Sequence, residues 1–453
     1  MTLAIAALAG FLLLQVAIGV WVSRRIATED DYLVGGRKFG YTLATFSIFA
    51  TWFGAESVIG SAGQVFSSGV SIETAEPYGY GLCLILMGAF LAKPLWDRGL
   101  TTLADLYRQR FGSGVERLAA IILIPTSVLW AAAQVRAFGA VIALVGDVDL
   151  SLGLGIAALF TITYTTFGGL LADAVTDVLQ GAVLSVGLLA TLVLVVQHVG
   201  GLGDAVAIIR ASDAINFTPS AAGAWYETLE AWAIPVCGSL VATEVIGRVI
   251  AARSGTVAQR SSIAAGALYL SIGSIPVIIA LLARTFVGEL GDAEQVLPTV
   301  ASTVLPPIAF AIFTGGLVSA ILSTVDSTLL VASGLLSHNL LIPLTGVTDE
   351  RRKVLFARGG VIGFGALAYV LAANAEGVLA LVEQASAFGS AGILVTTLFG
   401  LFTTLGSPRT AAATLILALT VYLGATALDS PVPFLASLGA ALLTWTIGCV
   451  RDA

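Results

Sequence analysis

Long apolar stretches separated by short polar links run along the whole chain. A helix needs about 20 mostly apolar residues to cross a bilayer. Stretches of that length or more lie near 3–22, 41–70, 77–97, 116–145, 151–170, 172–198, 224–252, 262–287, 306–338, 355–374, 377–403, 409–428 and 431–450. The pattern predicts an all-α polytopic membrane protein with thirteen spans, the link at Ala372–Glu376 being the least marked boundary. No polar segment is long enough for a second domain, so 1–453 reads as a single transmembrane unit. The first run has no basic residues before it and Arg24-Arg25 after it, as a retained span does and a cleaved leader does not.

Composition agrees with the periodicity. Of 453 residues, 57% are hydrophobic and only 11% charged, against roughly a quarter charged in a soluble domain. Cys83, Cys237 and Cys449 are scattered through apolar runs and His198 and His338 are the only histidines, which leaves no disulfide framework and no zinc site. No Ser-His-Asp set or phosphate loop is visible, so the chain does not read as an enzyme, and nothing points to nucleic acid.

Charge orients the bundle. With the N-terminus outside, all of the 21 Lys and Arg except Arg136, Arg210 and Arg284 fall in cytoplasmic links or the helix ends beside them, as the positive-inside rule requires. The outer links are acidic, with Glu73, Glu76, Asp147, Asp149, Glu289, Asp292, Glu294 and Asp429. The expected topology is N-out and C-in, in the cell inner membrane. Residues 199–223 read as a polar outer segment with a short surface helix. Thr102–Phe111 (TLADLYRQRF) reads as an amphipathic helix lying on the membrane.

Polar residues at membrane depth are costly and each needs an account. The second span reads TFSIFATWFGAESVIGSAG, with Gly54, Glu56 and Ser57 near its middle. A break there would free backbone carbonyls for a cation; an intact helix with Glu56 facing a polar neighbour is the alternative. In the ninth span Ala320, Ser323, Thr324 and Ser327 form one stripe with Asp326 beside it. Their hydroxyls suit a small hard cation such as Na⁺, and suit equally the gluing of helices. Asp177 in GGLLADAVTDVLQ lies at similar depth to Asp326, on the cytoplasmic side, as part of an ion path, as a cap of its own helix or as a partner of an Arg at the interface. Arg136 is set towards the outer half of its span. It would snorkel outward, pair with Glu56, Glu244 or Glu383, or bind an anionic group of a solute.

DYLVGGRKFG (31–40), FATWFGAESVIGSAG, TLADLYRQRFG, YTTFGGLLADAVTDVLQ (164–180), GRVIAAR (247–253) and SAILSTVDSTLL (319–330) occur in the order found in the sodium:solute symporter family, which the chain resembles from about 1 to 420. The resemblance implies a LeuT-type inverted repeat of five plus five helices. One extra helix and a cytoplasmic link (1–40) would precede it, 41–198 and 224–403 would form the repeats, and two helices (404–453) would follow. It implies a sodium site at the carbonyls of Ala50, Phe53 and Ala320 and the hydroxyls of Ser323 and Thr324. It also implies a candidate second cation position at Asp177, Asp326 and Ser327, where Asp326 departs from the hydroxyl of those members that hold a further sodium. Gly247 is another departure, since many relatives carry Gln before the Arg that matches Arg248. Substrate contacts would come from Glu56, Ser57, Gln134, Arg136, Thr243, Glu244, Glu383 and Gln384.

The expected function is therefore sodium-coupled import of a small organic solute, with Na⁺ as coupled ion and a carboxylate-bearing solute suggested by Arg136. A membrane sensor built on the same fold, signalling through a partner protein, is the alternative. The chain ends at Ala453, just after the last span, which favours transport.

Overall fold

The computed structural model describes residues 9–10, 12–18, 21, 28–217 and 225–452. Half of the expected first span, 3–22, falls outside them. Among the described residues, nine helices are long and apolar enough to cross a membrane, and three bent pairs raise the number to twelve. The thirteen-span expectation is thus matched only in part.

The bent pairs are Tyr41–Trp52 with Glu56–Ser68 (58°), Trp225–Val241 with Thr243–Ala251 (41°), and Val378–Ala387 with Ser390–Phe402 (41°). Each bend has a local cause. Gly54 sits in the first break, Ala242 is extended (φ −60°, ψ 124°) in the second, and Gly389 has φ +68° in the third. A further interruption at Gly169 (φ +66°, ψ 174°) separates Leu150–Leu171 from Asp173–His198. This backbone conformation carries a steric penalty with a Cβ, and the segment YTTFGG supplies glycine at the position.

The helix Pro307–Thr345 is the axis of the bundle, its most apolar window 78% buried. It packs against Ser113–Gly146, Leu150–His198 and Glu350–Asn374. Pro408–Ala427 and Pro433–Asp452 pack on each other at the periphery, exposing Leu442, Leu443, Ile447 and Val450. Apolar side chains turned outward on peripheral helices are what a lipid solvent selects.

The two ends of the bundle differ in charge. At the acidic end, Val70–Ser71 pairs in parallel with Ile215–Asn216, and the Glu294 carboxylate accepts from the Val378 N–H at 2.9 Å. The helix Leu202–Ala211 lies in the expected 199–223 segment. At the basic end, Arg37 donates to the carbonyl of Leu100 (2.7 Å) and Trp96 to that of Ala252 (2.7 Å).

Ala104–Phe111 is helical as expected, but its buried face packs on protein, not lipid. Tyr107 Oη lies 2.9 Å from Thr396 Oγ1, and Asp105 faces His338 and Asn339. His338 also reaches Glu29 at 3.1 Å, so four chain segments meet there. Burial alone would raise the Asp105 pKa. Hydrogen bonds from His338 and the backbone N–H groups of Thr102 and Thr101 outweigh it and hold the pKa at about 2. The sequence pattern is amphipathic either way; only tertiary contacts decide which apolar surface it covers.

Candidate functional site

The break in the second span builds the site. In a continuous helix the N–H groups of Gly54 and Ala55 would return to the carbonyls of Ala50 and Thr51. Instead Gly54 donates to Glu56 Oε1 (3.1 Å) and Ala55 to Gln134 Oε1 (2.9 Å). Gln134 also donates to Glu56 Oε2 at 2.8 Å. Glu56 and Gln134 therefore lock the break open, and the carbonyls of Ala50 and Thr51 are released from the helical ladder.

The released strand of backbone faces the stripe on Pro307–Thr345. Thr324 Oγ1 donates to the carbonyls of Thr51 (3.0 Å) and Ala320 (3.2 Å). Ser323 Oγ donates to Asp177 Oδ1, and Ser47 to Asp177 Oδ2 at 2.6 Å. A hydroxyl whose proton is taken by a carboxylate keeps its lone pairs for a cation. Oxygen donors of this kind, carbonyl and hydroxyl with a buried carboxylate behind them, suit a hard monovalent ion.

One turn further along the stripe the candidate second cation position is arranged differently. Ser327 Oγ takes a hydrogen bond from Arg248, which also bonds Asp173 and stands 3.9 Å from Asp177. Asp326 turns away from this group, its Oδ1 accepting from Thr165 and its Oδ2 without a partner. The three residues expected to share one cation are therefore split between two environments. Sequence spacing sets depth along a helix but not which neighbour fills the space beside it.

Two cavities flank a cluster of buried aromatic rings. Trp52, Tyr80 and Trp130 meet with centroids 4.9 Å (Trp52–Trp130), 5.9 Å (Trp52–Tyr80) and 6.1 Å (Tyr80–Trp130) apart. Tyr80 lines a cavity of about 210 Å³ at the acidic end, together with Glu73, Glu76, Glu227, Glu230 and Glu383. Trp130 lines a second, much smaller cavity of about 20 Å³ with Ser239, Thr243, Glu244 and Ser386. No Lys or Arg lines either one. Ser57 Oγ contacts Tyr269 Oη, which donates to Glu76 Oε1 at 2.7 Å, while Glu76 Oε2 is buried without a partner.

The expected substrate residues are thus distributed unequally. Thr243 and Glu244 line the inner of the two cavities and Glu383 the outer one, whereas Gln384 is exposed and lines neither. Ser57 bonds within the protein, and Glu56 and Gln134 serve the break. Arg136 donates to the carbonyls of Ala372 (3.2 Å) and Glu376 (3.1 Å), at and just beyond the end of Glu350–Asn374, and lines neither cavity. A helix C-terminus offers unpaired carbonyls and partial negative charge, and this satisfies the cation without a solute. Trp52, Tyr80, Trp130, Glu76 and Tyr269 were not singled out in the sequence. The one available signal was Trp52 two residues before the Gly54 break.

The model of the family described as "SSF: Sodium:solute symporter family" matches residues 32–417. The chain belongs to the sodium:solute symporter family. It is 29% identical over 388 residues to the high affinity choline transporter 1 of Homo sapiens, covering 80% of this chain and 66% of that one. It is 26% identical to the high-affinity proline transporter PutP of Bacillus subtilis (strain 168), covering 82% of each. The chain spans about two thirds of the length of the choline transporters it matches. In fold it is similar to a Na⁺-coupled sialic acid symporter in a substrate-bound outward-open state (TM-score 0.85, 17% identity, 99% of this chain and 97% of that one). It is also similar to Mhp1, a nucleobase-cation-symport-1 family transporter, in a closed conformation (TM-score 0.62, 18% identity, 94% and 95%). These likenesses show a LeuT-type fold. Family and fold together make the chain a multi-pass membrane transporter and not an enzyme.

Arg136→Ala is expected to leave sodium-dependent uptake within about fivefold of wild type, because a cation at a helix end contributes about 0.3–1 kcal/mol. A flux assay in proteoliposomes checks this. A loss of solute affinity well beyond fivefold would return Arg136 to the solute site.

Proposed function

We propose that this protein is a sodium-coupled symporter whose solute is a small organic cation with a quaternary ammonium head, choline being the first candidate. One observation carries the reading: the buried Trp52–Tyr80–Trp130 cluster borders a cavity lined by five glutamates and a smaller one that holds Glu244, and no Lys or Arg lines either. Glutamates in the outer cavity would raise the local concentration of a cation. The faces of Trp and Tyr attract a quaternary ammonium that cannot donate hydrogen bonds, by about 2 kcal/mol where water is excluded. The same walls repel a carboxylate, and with Arg136 spent on helix-end carbonyls nothing in either cavity would hold one. Several relatives carry the name of choline transporters, which supports the choice.

Sodium travels as the driving ion at Ala50, Phe53, Ala320, Ser323 and Thr324, with Asp177 behind Ser323. The acidic end faces outside and the basic end the cytoplasm, in accordance with the positive-inside rule. Residues 41–198 and 224–403 act as the two repeats, each opening on a broken helix. Sodium at the break would tie Tyr41–Ser68 to Pro307–Thr345 and so favour the state in which the solute cavity is formed.

The test is uptake of radiolabelled choline by proteoliposomes. Accumulation is expected under an inward sodium gradient and absent under potassium, with unlabelled choline competing and proline or pantothenate not. Competition by proline or pantothenate, with none by choline, would overturn the cation reading.

A further inference from the structure

The geometry points to Arg248 as a tethered cation that fills the lower half of the ion path and limits the protein to a single bound sodium. The inference rests on the sodium-coupled reading above and deepens it.

Arg248 is fully buried, yet it comes from Thr243–Ala251, the second arm of a broken span. Its Nη2 bonds both Asp173 and Ser327, and the same nitrogen is 3.9 Å from Asp177 Oδ2. Ser327 lies one turn from Ser323 on the stripe and donates to its carbonyl (2.7 Å). Without the guanidinium, Asp173, Asp177 and the Ser327 hydroxyl would present a concave set of hard oxygens directly below the break. With it, the space against Ser327 Oγ is taken by nitrogen donors, which repel a metal ion both by contact and by charge. The second cation position is occupied by the chain itself.

Charge balance supports the same conclusion. Asp173 and Asp177 are both buried and set against a single Arg248. A buried charge must be compensated, and one sodium at the break, beside the Asp177 that orients Ser323, completes the balance for this pair. Asp326 is buried close by and is held by Thr165 rather than by Arg248. Arg248 Nε and Nη1 remain buried without partners. Arg248 also lines a small cavity of about 30 Å³, bordered by Thr101, Thr102 and Leu103 at the basic end. A guanidinium with unused donors can close the 3.9 Å gap to Asp177 once sodium leaves, which keeps Asp177 paired during the empty return.

The test counts bound ²²Na⁺ on the purified full-length chain in nanodiscs, with no solute present. Wild type is expected to bind one sodium per chain with a Hill coefficient near one. Arg248→Gln removes the guanidinium charge and leaves Asp173, Asp177, Ser323 and Ser327 in place. It is expected to bind two. Two sodium ions on wild type, or one on Arg248→Gln, would overturn the proposal. If Arg248→Gln is not monodisperse, Arg248→Met takes its place with the same expectation. Because the count needs no solute, its failure leaves the organic-cation reading standing, while wild type that binds no sodium would overturn both.

Discussion

Gly54→Ala is expected to reduce sodium-dependent uptake by about 10- to 100-fold while the protein still folds. A Cβ at this position would lie 2.7 Å from Glu56 Oε2, 2.8 Å from Thr324 Oγ1 and 2.9 Å from Gln134 Oε1. Overpacking of a close-packed site costs about 1–3 kcal/mol, and 1.36 kcal/mol corresponds to tenfold. Here the atoms that must give way are those that hold the break open, so the strain falls on the ion site and not on the bundle at large. Gly60→Ala is the control in the same span, since its Cβ would make only ordinary contacts, with Leu379 at 3.6 Å and with Glu56 Cβ at 3.9 Å. Flux, ²²Na⁺ affinity and melting temperature measured on both variants decide the matter. Normal sodium affinity in Gly54→Ala would show that the break does not form the ion site.

Asp177→Asn is expected to weaken sodium binding by about 10- to 100-fold, the usual range for loss of a group that orients a metal ligand. The carboxylate accepts from Ser323 and Ser47 at once, and an amide cannot do so on both sides because one of its arms is a donor. The Ser323 hydroxyl would then turn, and the negative charge behind the site would be lost. The expected signature is a raised sodium concentration for half-maximal uptake, with solute affinity at saturating sodium close to wild type. An unchanged sodium requirement would make Asp177 a structural partner of Arg248 only. Ser323→Ala should show the same direction of change, since it removes the ligand that Asp177 orients.

Spacing alone could find the stripe at Ala320, Ser323, Thr324 and Ser327, because helical periodicity assigns residues to one face without knowledge of neighbours. It could also point to the break, because Gly54 and Glu56 at mid-membrane disfavour a continuous helix in lipid, an intact helix with Glu56 against a polar neighbour being the alternative. Membership of the family was legible as a resemblance carried by the ordered motifs. Half of the expected first span lies outside the described residues, and the surface helix at Ala104–Phe111 covers protein rather than lipid.

Arg136 and Arg248 mark where such reading stops. Both are basic residues near or within spans, and the sequence drew attention to Arg136, which binds only helix-end carbonyls. Arg248, passed over as a cytoplasmic charge, is the one buried among the aspartates. The aromatic cluster brings together residues 52, 80 and 130 from three different spans, and no periodicity relates them. The sequence by itself determined the spans and the hydroxyl stripe and pointed to the break, since each follows from helix period and the cost of polar groups in lipid. Tertiary structure alone decided which carboxylate each arginine meets, which rings line the cavities and whether a second cation finds room. Those outcomes depend on contacts between segments far apart in the chain, and nothing local encodes them.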